Sequence, residues 1–268
     1  MRSEGVTMGR LEDRVAIVTG AARGIGKAIS ARFAAEGAVV VGVDVLADRG
    51  RELFAELARG GARVDFMEGD VADEGRVAEI AAEVERDRGR IDILVNNAAI
   101  QVEGMLHDQT VEAFHRVVNV NLLGTFLFSR AVLPAMRRQR SGVIVNLSSV
   151  LGLVGDPVLP VYSATKAGIL GLTRSVAVAY AREGIRCVAL CPGDIDTELN
   201  DQYFASQPDP VAFRAKVERE YPMKRIGTAE EIAAVAAFLA SDDASFVTAT
   251  HVLADGGVLS RVYELDTP

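Results

Sequence analysis

The chain has 268 residues, 49% hydrophobic and 25% charged, enough for one large α/β domain or two small ones and too ordinary for a disordered or fibrous protein. The formal net charge of −8 argues against nucleic acid or an anionic membrane as the main partner. No stretch approaches the roughly 18 apolar residues of a membrane span, and residues 1–10 lack the apolar core of a signal peptide.

Short apolar runs alternate along the chain with longer amphipathic segments. Continuous β-branched runs, typical of strands covered on both faces, predict strands over residues 14–19, 38–44, 63–68, 91–95, 142–147, 185–190 and 250–254. Helices are predicted over residues 24–36, 48–59, 73–88, 110–138, 161–183 and 230–240, the fourth bending near Pro134. Strands that alternate with helices imply right-handed βαβ units. The sequence therefore predicts an α/β fold: a doubly wound (Rossmann) parallel seven-stranded sheet with helices on both faces.

The predicted domain organisation is an N-terminal extension over residues 1–12 and a single domain over residues 13–268. Residues 196–227 contain three prolines, scattered charge and little periodicity. Long irregular segments of compact domains often cover a site, so we expect this segment to be an irregular substrate lid.

A glycine-rich turn joins the first strand to the first helix, with Gly20, Gly24 and Gly26 in its sequence. Glycines here permit a tight turn, close backbone approach to a pyrophosphate, and close contact between helix and strand. The helix N-terminus presents N–H groups and a partial positive charge to phosphates. The alternative is an ordinary glycine-rich connection, but its place after the first strand and the downstream Asp44 favour a dinucleotide site.

Asp44 ends the second predicted strand, 18 residues beyond Gly26. A carboxylate there can accept both ribose hydroxyls and would repel a 2′-phosphate, which favours NAD over NADP. Arg23 favours the opposite choice, because a cation in the turn could bind that phosphate. We give Asp44 more weight, since Arg23 could instead cover the adenine or the pyrophosphate. The alternative for Asp44 is a solvated strand end.

Tyr162 and Lys166 lie one helical turn apart, so both face the same side of a predicted helix. An ammonium group close to the phenol would favour phenolate and lower a tyrosine pKa near 10 by about 1–3 pH units. Ser149 ends the fifth strand, and ligands bind beyond the carboxyl ends of parallel strands. Its hydroxyl could therefore hydrogen-bond the same reacting oxygen. The alternatives are a solvated Tyr–Lys pair and a serine that caps local backbone.

Together these residues resemble the short-chain dehydrogenase/reductase family over residues 14–257, nearly the whole chain. The resemblance implies a catalytic tetrad, an adenine-contacting pair, a polar strand end and a clamp for the nicotinamide carboxamide. The implied tetrad is Asn121, Ser149, Tyr162 and Lys166. Ala99 stands where the family usually has glycine. The predicted cofactor-binding residues are Gly20, Arg23, Gly24, Ile25, Gly26, Asp44, Asp70, Val71, Asn97, Ala98, Tyr162, Lys166, Pro192, Gly193, Ile195 and Thr197.

The family mechanism that the resemblance implies is hydride transfer between the nicotinamide and a carbinol or carbonyl carbon. Tyr162 would exchange the proton, Ser149 would hold the substrate oxygen, and Lys166 would bind the nicotinamide ribose. Asn121 would position a water molecule that links Lys166 to solvent. The substrate is expected to contact Ser149, Tyr162, Gln101 and Leu151.

The leading functional prediction is an NAD-dependent oxidoreductase acting on a secondary alcohol or ketone. The largely apolar loop of residues 150–161 and the more polar lid form a mixed wall, which favours a sugar, polyol or cyclic alcohol over a long acyl chain. The first alternative is an NADPH-dependent 3-oxoacyl reductase, opposed by Asp44 and by the acidic surface. The second is a nicotinamide-sensing module without catalysis, opposed by the intact tetrad.

Cysteine and histidine placement bears on compartment and metal binding. Cys187 and Cys191 stand four apart in a predicted strand, so about 3.3 Å per residue puts them roughly 13 Å apart, beyond disulfide reach. We expect two buried thiols, a cytoplasmic protein, and no catalytic metal, because the three histidines lack ligand spacing. The apolar helices over 110–138 and 161–183, through which related proteins pair, predict a homodimer or homotetramer.

Overall fold

The computed structural model describes residues 9–261, which are built around a sheet of seven parallel strands in the order β3-β2-β1-β4-β5-β6-β9. The sheet strands are β1 (Val15–Thr19), β2 (Val39–Asp44), β3 (Val64–Glu68), β4 (Ile93–Asn96), β5 (Gly142–Leu147), β6 (Ile185–Pro192) and β9 (His251–Ala254). A separate short pair is β7 (Ile195–Asp196) with β8 (Gly227–Thr228). The predicted seven-stranded, doubly wound sheet is confirmed.

Helices cover both faces of the sheet. The α-helices of the described residues are α1 (Gly24–Ala35), α2 (Ala47–Arg59), α3 (Glu74–Arg88), α4 (Val111–Val118), α5 (Gly124–Gln139), α6 (Pro160–Tyr180), α7 (Glu198–Ala205), α8 (Pro210–Glu220) and α9 (Ala229–Ala240), of which α7 and α8 have a small core of their own. Alternate residues of a strand point to opposite faces. Ala16 and Val18 of β1 therefore pack into the core with α1 and α9, whereas Val15 and Ile17 pack with α3 and α5.

The strand order reverses beside β1, and this reversal positions the site. The chain builds β1, β2 and β3 in one direction, then crosses to β4 on the other side of β1 and continues to β5 and β6. The loops that follow β1 and β4 leave in opposite directions, which opens a crevice at the carboxyl edge of the sheet. In open α/β sheets this is the place where ligands bind.

The long helix predicted over residues 110–138 is divided in the structure. A π-helical turn, Asn119–Leu123, separates α4 from α5, and α5 continues through Pro134. The interruption therefore lies at the π turn, whereas the sequence predicted a bend near Pro134. Taken together, α4, the π turn and α5 form the segment Val111–Gln139. By length and composition alone this segment is apolar enough to cross a membrane, contrary to the sequence expectation. Half of its most apolar 18-residue window is buried inside the protein.

The segment predicted as an irregular lid is mostly helical, so that part of the prediction is wrong. Asp209 caps α8 by accepting a hydrogen bond from the Ala212 N–H at 3.0 Å. Phe204, Tyr221 and Ile226 form a small core of their own beneath α7 and α8. Both helices are short and carry scattered charges, so the periodic spacing of their apolar residues is too weak to predict a helix from the sequence.

The structure describes only part of the two chain termini. Residues 1–8 and 262–268 lie outside the described residues, and so does most of the predicted extension over 1–12. Leu11, within that range, is fully buried in the core. Cys187 and Cys191 are buried and unpaired, as expected.

Candidate active site

A cavity of about 650 Å³ opens at the carboxyl edge of the sheet, at the strand reversal. It is bounded by the β1–α1 turn, the ends of β2, β4, β5 and β6, the start of α6, and the two lid helices. All of the predicted site residues line it except Gly26 and Asn121. The long-range packing of the sheet thus brings together residues that are separated by up to 177 positions, from Gly20 to Thr197.

The glycine turn has the backbone conformation and the space that its sequence predicts. Gly20 and Gly24 have φ of +66° and +51°, which favour glycine. A Cβ on Gly26 would lie 2.0 Å from the Gly20 carbonyl oxygen and 2.6 Å from Asn97 Nδ2. Gly26 therefore lies behind the cavity wall and permits close contact between α1 and the turn, the third of the glycine roles.

Polar side chains bind the turn to the end of β4. Asn97 Nδ2 donates to the carbonyl oxygens of Thr19 and Gly20 at 2.9 and 3.2 Å. The Thr19 hydroxyl accepts hydrogen bonds from the N–H groups of Asn97 and Ala98 at 3.0 and 3.1 Å. These bonds keep the cradle rigid from the side opposite α1.

The cradle fits a dinucleotide. No side chain caps the N-terminus of α1, whose first residues Gly24 and Ile25 line the cavity, so its N–H groups can bind phosphate. Asp44 also lines the cavity and accepts from the N–H groups of Ala22 and Leu46, each at 3.0 Å. Each carboxylate oxygen has a further lone pair for a hydroxyl.

Tyr162 and Lys166 lie together in the first turns of α6, as predicted. Lys166 Nζ is 5.4 Å from the centre of the Tyr162 ring and donates to the Leu147 carbonyl oxygen at 2.7 Å. Ser149, at the end of β5, accepts from the Leu151 N–H at 3.1 Å and lines the same cavity as Tyr162. The phenol, the hydroxyl and the ammonium group therefore belong to residues that line one cavity.

The expected pKa of Tyr162 is wrong in direction. Burial raises the pKa of this phenol to about 12, while a hydrogen bond with Ser149 acts in the lowering direction. Burial also lowers the pKa of Lys166 to about 8. Desolvation disfavours the charged form of both groups, and the Lys166 ammonium is bound to the Leu147 carbonyl. Desolvation therefore sets the direction of both shifts, and at Tyr162 the opposing contribution comes from Ser149 and not from Lys166, on which the sequence prediction relied.

Asn121 lies in the π turn, fully buried behind the cavity. Its side chain exchanges two hydrogen bonds of 2.9 Å with the backbone of Ile100, and its Nδ2 also lies 3.2 Å from Thr165 Oγ1. The side chain therefore joins the loop after β4 to the helix that carries Lys166. The proton-relay role stays a prediction.

The substrate half of the cavity combines Gln101 and Leu151, both predicted, with residues that the sequence reasoning left without a role. Asp194 accepts from the Tyr221 hydroxyl at 2.8 Å and from Asn200 Nδ2 at 3.3 Å, and burial raises the pKa of its carboxyl. From α8 the missed lining residues are Phe213, Lys216, Val217 and Glu220. Their spacing of three and four indicates one helix face, but nothing local indicates that this face covers a cleft.

A doubly wound sheet with a dinucleotide cradle beside a Ser–Tyr–Lys group defines a class of nicotinamide-dependent oxidoreductases. A family model described as "Enoyl-(Acyl carrier protein) reductase" matches residues 20–259. The 2-(R)-hydroxypropyl-CoM dehydrogenase of Xanthobacter autotrophicus is 46% identical over 252 residues, 91% of this chain and 97% of that protein. The 3-oxoacyl-[acyl-carrier-protein] reductase FabG of Thermotoga maritima is 39% identical over 250 residues, 93% and 99% of the two chains.

Solved structures of related enzymes have the same fold. The structure of Thermoplasma acidophilum aldohexose dehydrogenase matches with a TM-score of 0.86 and 36% identity, covering 97% of this chain and 99% of that one. The chain belongs to the short-chain dehydrogenase/reductase family, whose members are oxidoreductases of CH–OH and C=O groups that use NAD(P)(H). This family assignment favours an enzyme over the alternative of a non-catalytic sensing module.

Proposed function

We propose that this protein transfers hydride between NAD(H) and a secondary alcohol or ketone, with a sugar, polyol or cyclic alcohol as its substrate. The observation that carries the proposal is the convergence of Ser149, Tyr162 and Lys166 on the cavity that Asp44 also lines. A proton-transfer group and a ribose-binding carboxylate in one crevice are what such a reaction needs.

The proton-transfer role belongs to Tyr162. A bound nicotinamide would supply the hydride chemistry. Because burial raises the pKa of Tyr162 to about 12, the phenol carries its proton at neutral pH and can give it to a carbonyl oxygen. Oxidation needs the deprotonated phenol, so its rate should rise with pH. Ser149 would hold the substrate oxygen, and Lys166 would hold the nicotinamide ribose.

The cofactor proposed is NAD, on the strength of Asp44. Its carboxylate is held by two backbone N–H groups and lines the cavity beyond β2. A 2′-phosphate there would face a fixed negative charge, whereas two ribose hydroxyls would find an acceptor. The other residues proposed to hold the cofactor are the predicted ones. Among them, Thr197 lies opposite Gly24, where an added Cβ would be 3.5 Å from its side chain, and Ile195 lines the same cavity.

The substrate class is proposed from the composition of the wall. Asp156, Asn200 and Tyr203 offer hydrogen-bonding groups, while Leu151 and Phe213 offer apolar surface. Alternating polar and apolar contacts suit a small hydroxylated ring better than a long acyl chain. The aldohexose dehydrogenase similarity supports the sugar option, and the lid over residues 196–227 would cover the substrate.

A second candidate is an NADPH-dependent 3-oxoacyl reductase. The FabG relative favours it, and so do Arg23 and Arg49, two guanidinium groups beside the cavity that could bind a 2′-phosphate. Asp44 and the net charge of −8 oppose it, since an acidic carrier protein would need a basic docking surface.

The test follows the absorbance of the reduced nicotinamide with purified protein. Aldohexoses, polyols and cyclic secondary alcohols are oxidised with NAD or NADP in parallel, and a short 3-oxoacyl thioester is reduced with NADPH or NADH. Tyr162→Phe provides the blank. We expect turnover with NAD and at least one hydroxylated ring. Turnover of the thioester with NADPH alone would overturn the proposal in favour of the second candidate.

We also propose a homodimer or homotetramer in the cytoplasm. Phe114 of α4, Phe126 of α5 and Val178 of α6 are 45%, 42% and 74% exposed on the long helices, and a second copy would cover them. Two free, buried thiols are typical of a reducing compartment. Sedimentation would give the number of subunits, and a monomer would contradict the first part.

A further inference from the structure

A carboxylate of the lid pairs with two arginines at the rim of the cofactor cavity. Glu198, the first residue of α7, accepts from Arg49 Nη1 at 2.8 Å and also contacts Arg49 Nη2. The same carboxylate lies 3.7 Å from Arg23 Nη1. Arg49 belongs to α2 and is separated from Glu198 by 149 positions, so only the folded chain forms this ion-pair group.

Both arginines stand where the ribose of a dinucleotide would be recognised. Arg23 precedes Gly24 in the phosphate-binding turn and lines the cavity with Asp44. Arg49 follows Asp44 by five residues and lies within electrostatic reach of it. Guanidinium groups bind phosphate with paired, charge-assisted hydrogen bonds. Two of them beside Asp44 would therefore counteract its repulsion of a 2′-phosphate.

Glu198 occupies the donors that such a phosphate would use. The side chains of Arg23, Arg49 and Glu198 are 34%, 48% and 41% exposed, so a ligand could reach them. The Arg49–Glu198 pair also holds the pKa of Glu198 below its usual range, so the carboxylate stays charged at neutral pH. A 2′-phosphate would have to displace this carboxylate and approach two negative groups.

We propose that Glu198 is a cofactor-specificity residue, which holds Arg23 and Arg49 in ion pairs and thereby withholds them from a 2′-phosphate. Discrimination against NADP then depends on two carboxylates, Asp44 on the sheet and Glu198 on the lid. The inference rests on the proposed function, because it deepens the preference for NAD. It also explains how a chain with Arg23 in its glycine turn can prefer the cofactor without the phosphate.

The test measures dissociation constants for NADH and NADPH by the fluorescence of the bound nicotinamide, without substrate. Glu198→Gln keeps the size of the side chain and an oxygen acceptor but removes the charge. We expect its Kd for NADPH to fall about tenfold, since two guanidinium groups become available to the phosphate, and its Kd for NADH to change less than about twofold. Asp201→Asn removes the same charge from the same helix, at a residue that does not line the cavity, and should leave the ratio unchanged.

A second variant tests the arginine directly. In the Glu198→Gln background, Arg49→Gln should abolish the gain in NADPH binding. An unchanged ratio in Glu198→Gln, with NADH binding intact, would overturn the inference. So would an equal change for both coenzymes, because Glu198 would then only fasten the lid. Failure of the wild-type protein to bind either coenzyme is a different result, and it would overturn the proposed function itself.

Discussion

Replacing Lys166 by methionine tests how much the burial of its charged ammonium group destabilises the folded protein. Lys166 is only 3% exposed, and its ammonium donates to the Leu147 carbonyl oxygen. Burial lowers its pKa from an ordinary 10.5 to about 8. Removing the ammonium should weaken cofactor binding and slow turnover. It should also remove the pH dependence of folding that the Lys166 ammonium produces.

The sign and size of this pH dependence follow from the difference in proton binding between the folded and unfolded chain. Between pH 8 and 10.5 the unfolded chain holds the Lys166 proton and the folded chain does not, so the stability of the folded state rises with pH. The difference between 10.5 and about 8, at about 1.4 kcal/mol per pH unit, corresponds to about 3 kcal/mol. Below about pH 8 the full penalty is present, and above pH 10.5 it is absent. Other groups whose pKa burial raises, such as Tyr162, Cys187 and Tyr221, act oppositely at high pH but do so in both proteins. Cys191 differs between the two, because Lys166 lowers the pKa of this thiol, so the measured difference includes the coupling of these two groups.

The assay is chemical denaturation followed by circular dichroism, without cofactor, at a series of pH values. The free energy of unfolding of the wild type minus that of Lys166→Met should rise by about 3 kcal/mol from about pH 7 to pH 10.5. Lys27→Met, at an exposed lysine of α1, is the matched control and should give a constant difference. A constant difference for Lys166→Met as well would refute the reasoning, since Lys166 would then keep its proton in the folded state.

Three further changes test the site. Tyr162→Phe should reduce turnover at least about a hundredfold and leave the Kd for NADH unchanged, and a tenth of the wild-type rate remaining would contradict the role. Asp44→Ala should raise NADP use relative to NAD at least about tenfold in kcat/KM, whereas an unaltered ratio would count against the assignment. Gly26→Ala places a Cβ 2.0 Å from the Gly20 carbonyl oxygen, so NADH binding should be lost and thermal stability should fall. Gly171→Ala is its control and should retain binding, because an added Cβ there would meet nothing within 4 Å apart from its chain neighbours and its own helix backbone.

Much of the part of the cavity proposed to bind the cofactor could be predicted, because the sequence features that indicate it each extend over only a few residues. The conformations of Gly20 and Gly24 are set by a turn of a few residues, and the shared direction of Tyr162 and Lys166 follows from one helical turn. The position of Asp44 follows from a buried strand that ends there. Because carboxyl ends of parallel strands meet at one edge, these local features imply a common site without any long-range information.

The substrate half could not be predicted in the same way. The helices α7 and α8 are short, and their apolar residues cover a cleft and a small core instead of joining the main one. Asp194 lies between Gly193 and Ile195, two predicted cofactor residues, yet its environment depends on Tyr221, which is 27 positions away. Asn121 was assigned a relay role, while its observed contacts join Ile100 to Thr165.

The sequence alone determined the succession of the seven sheet strands along the chain, the glycine cradle, the position of Asp44 and the pairing of Tyr162 with Lys166. Periodicity and turn chemistry act over a few residues, so these features can be predicted locally. Only the tertiary structure decided the pKa shifts of the buried site residues and the ion-pair partners at the rim of the cavity. Desolvation raised the pKa of Tyr162 and lowered that of Lys166, and folding brought Glu198 to Arg49. Desolvation and long-range ion pairing depend on which distant elements pack together, and that information is absent from any short stretch of the chain.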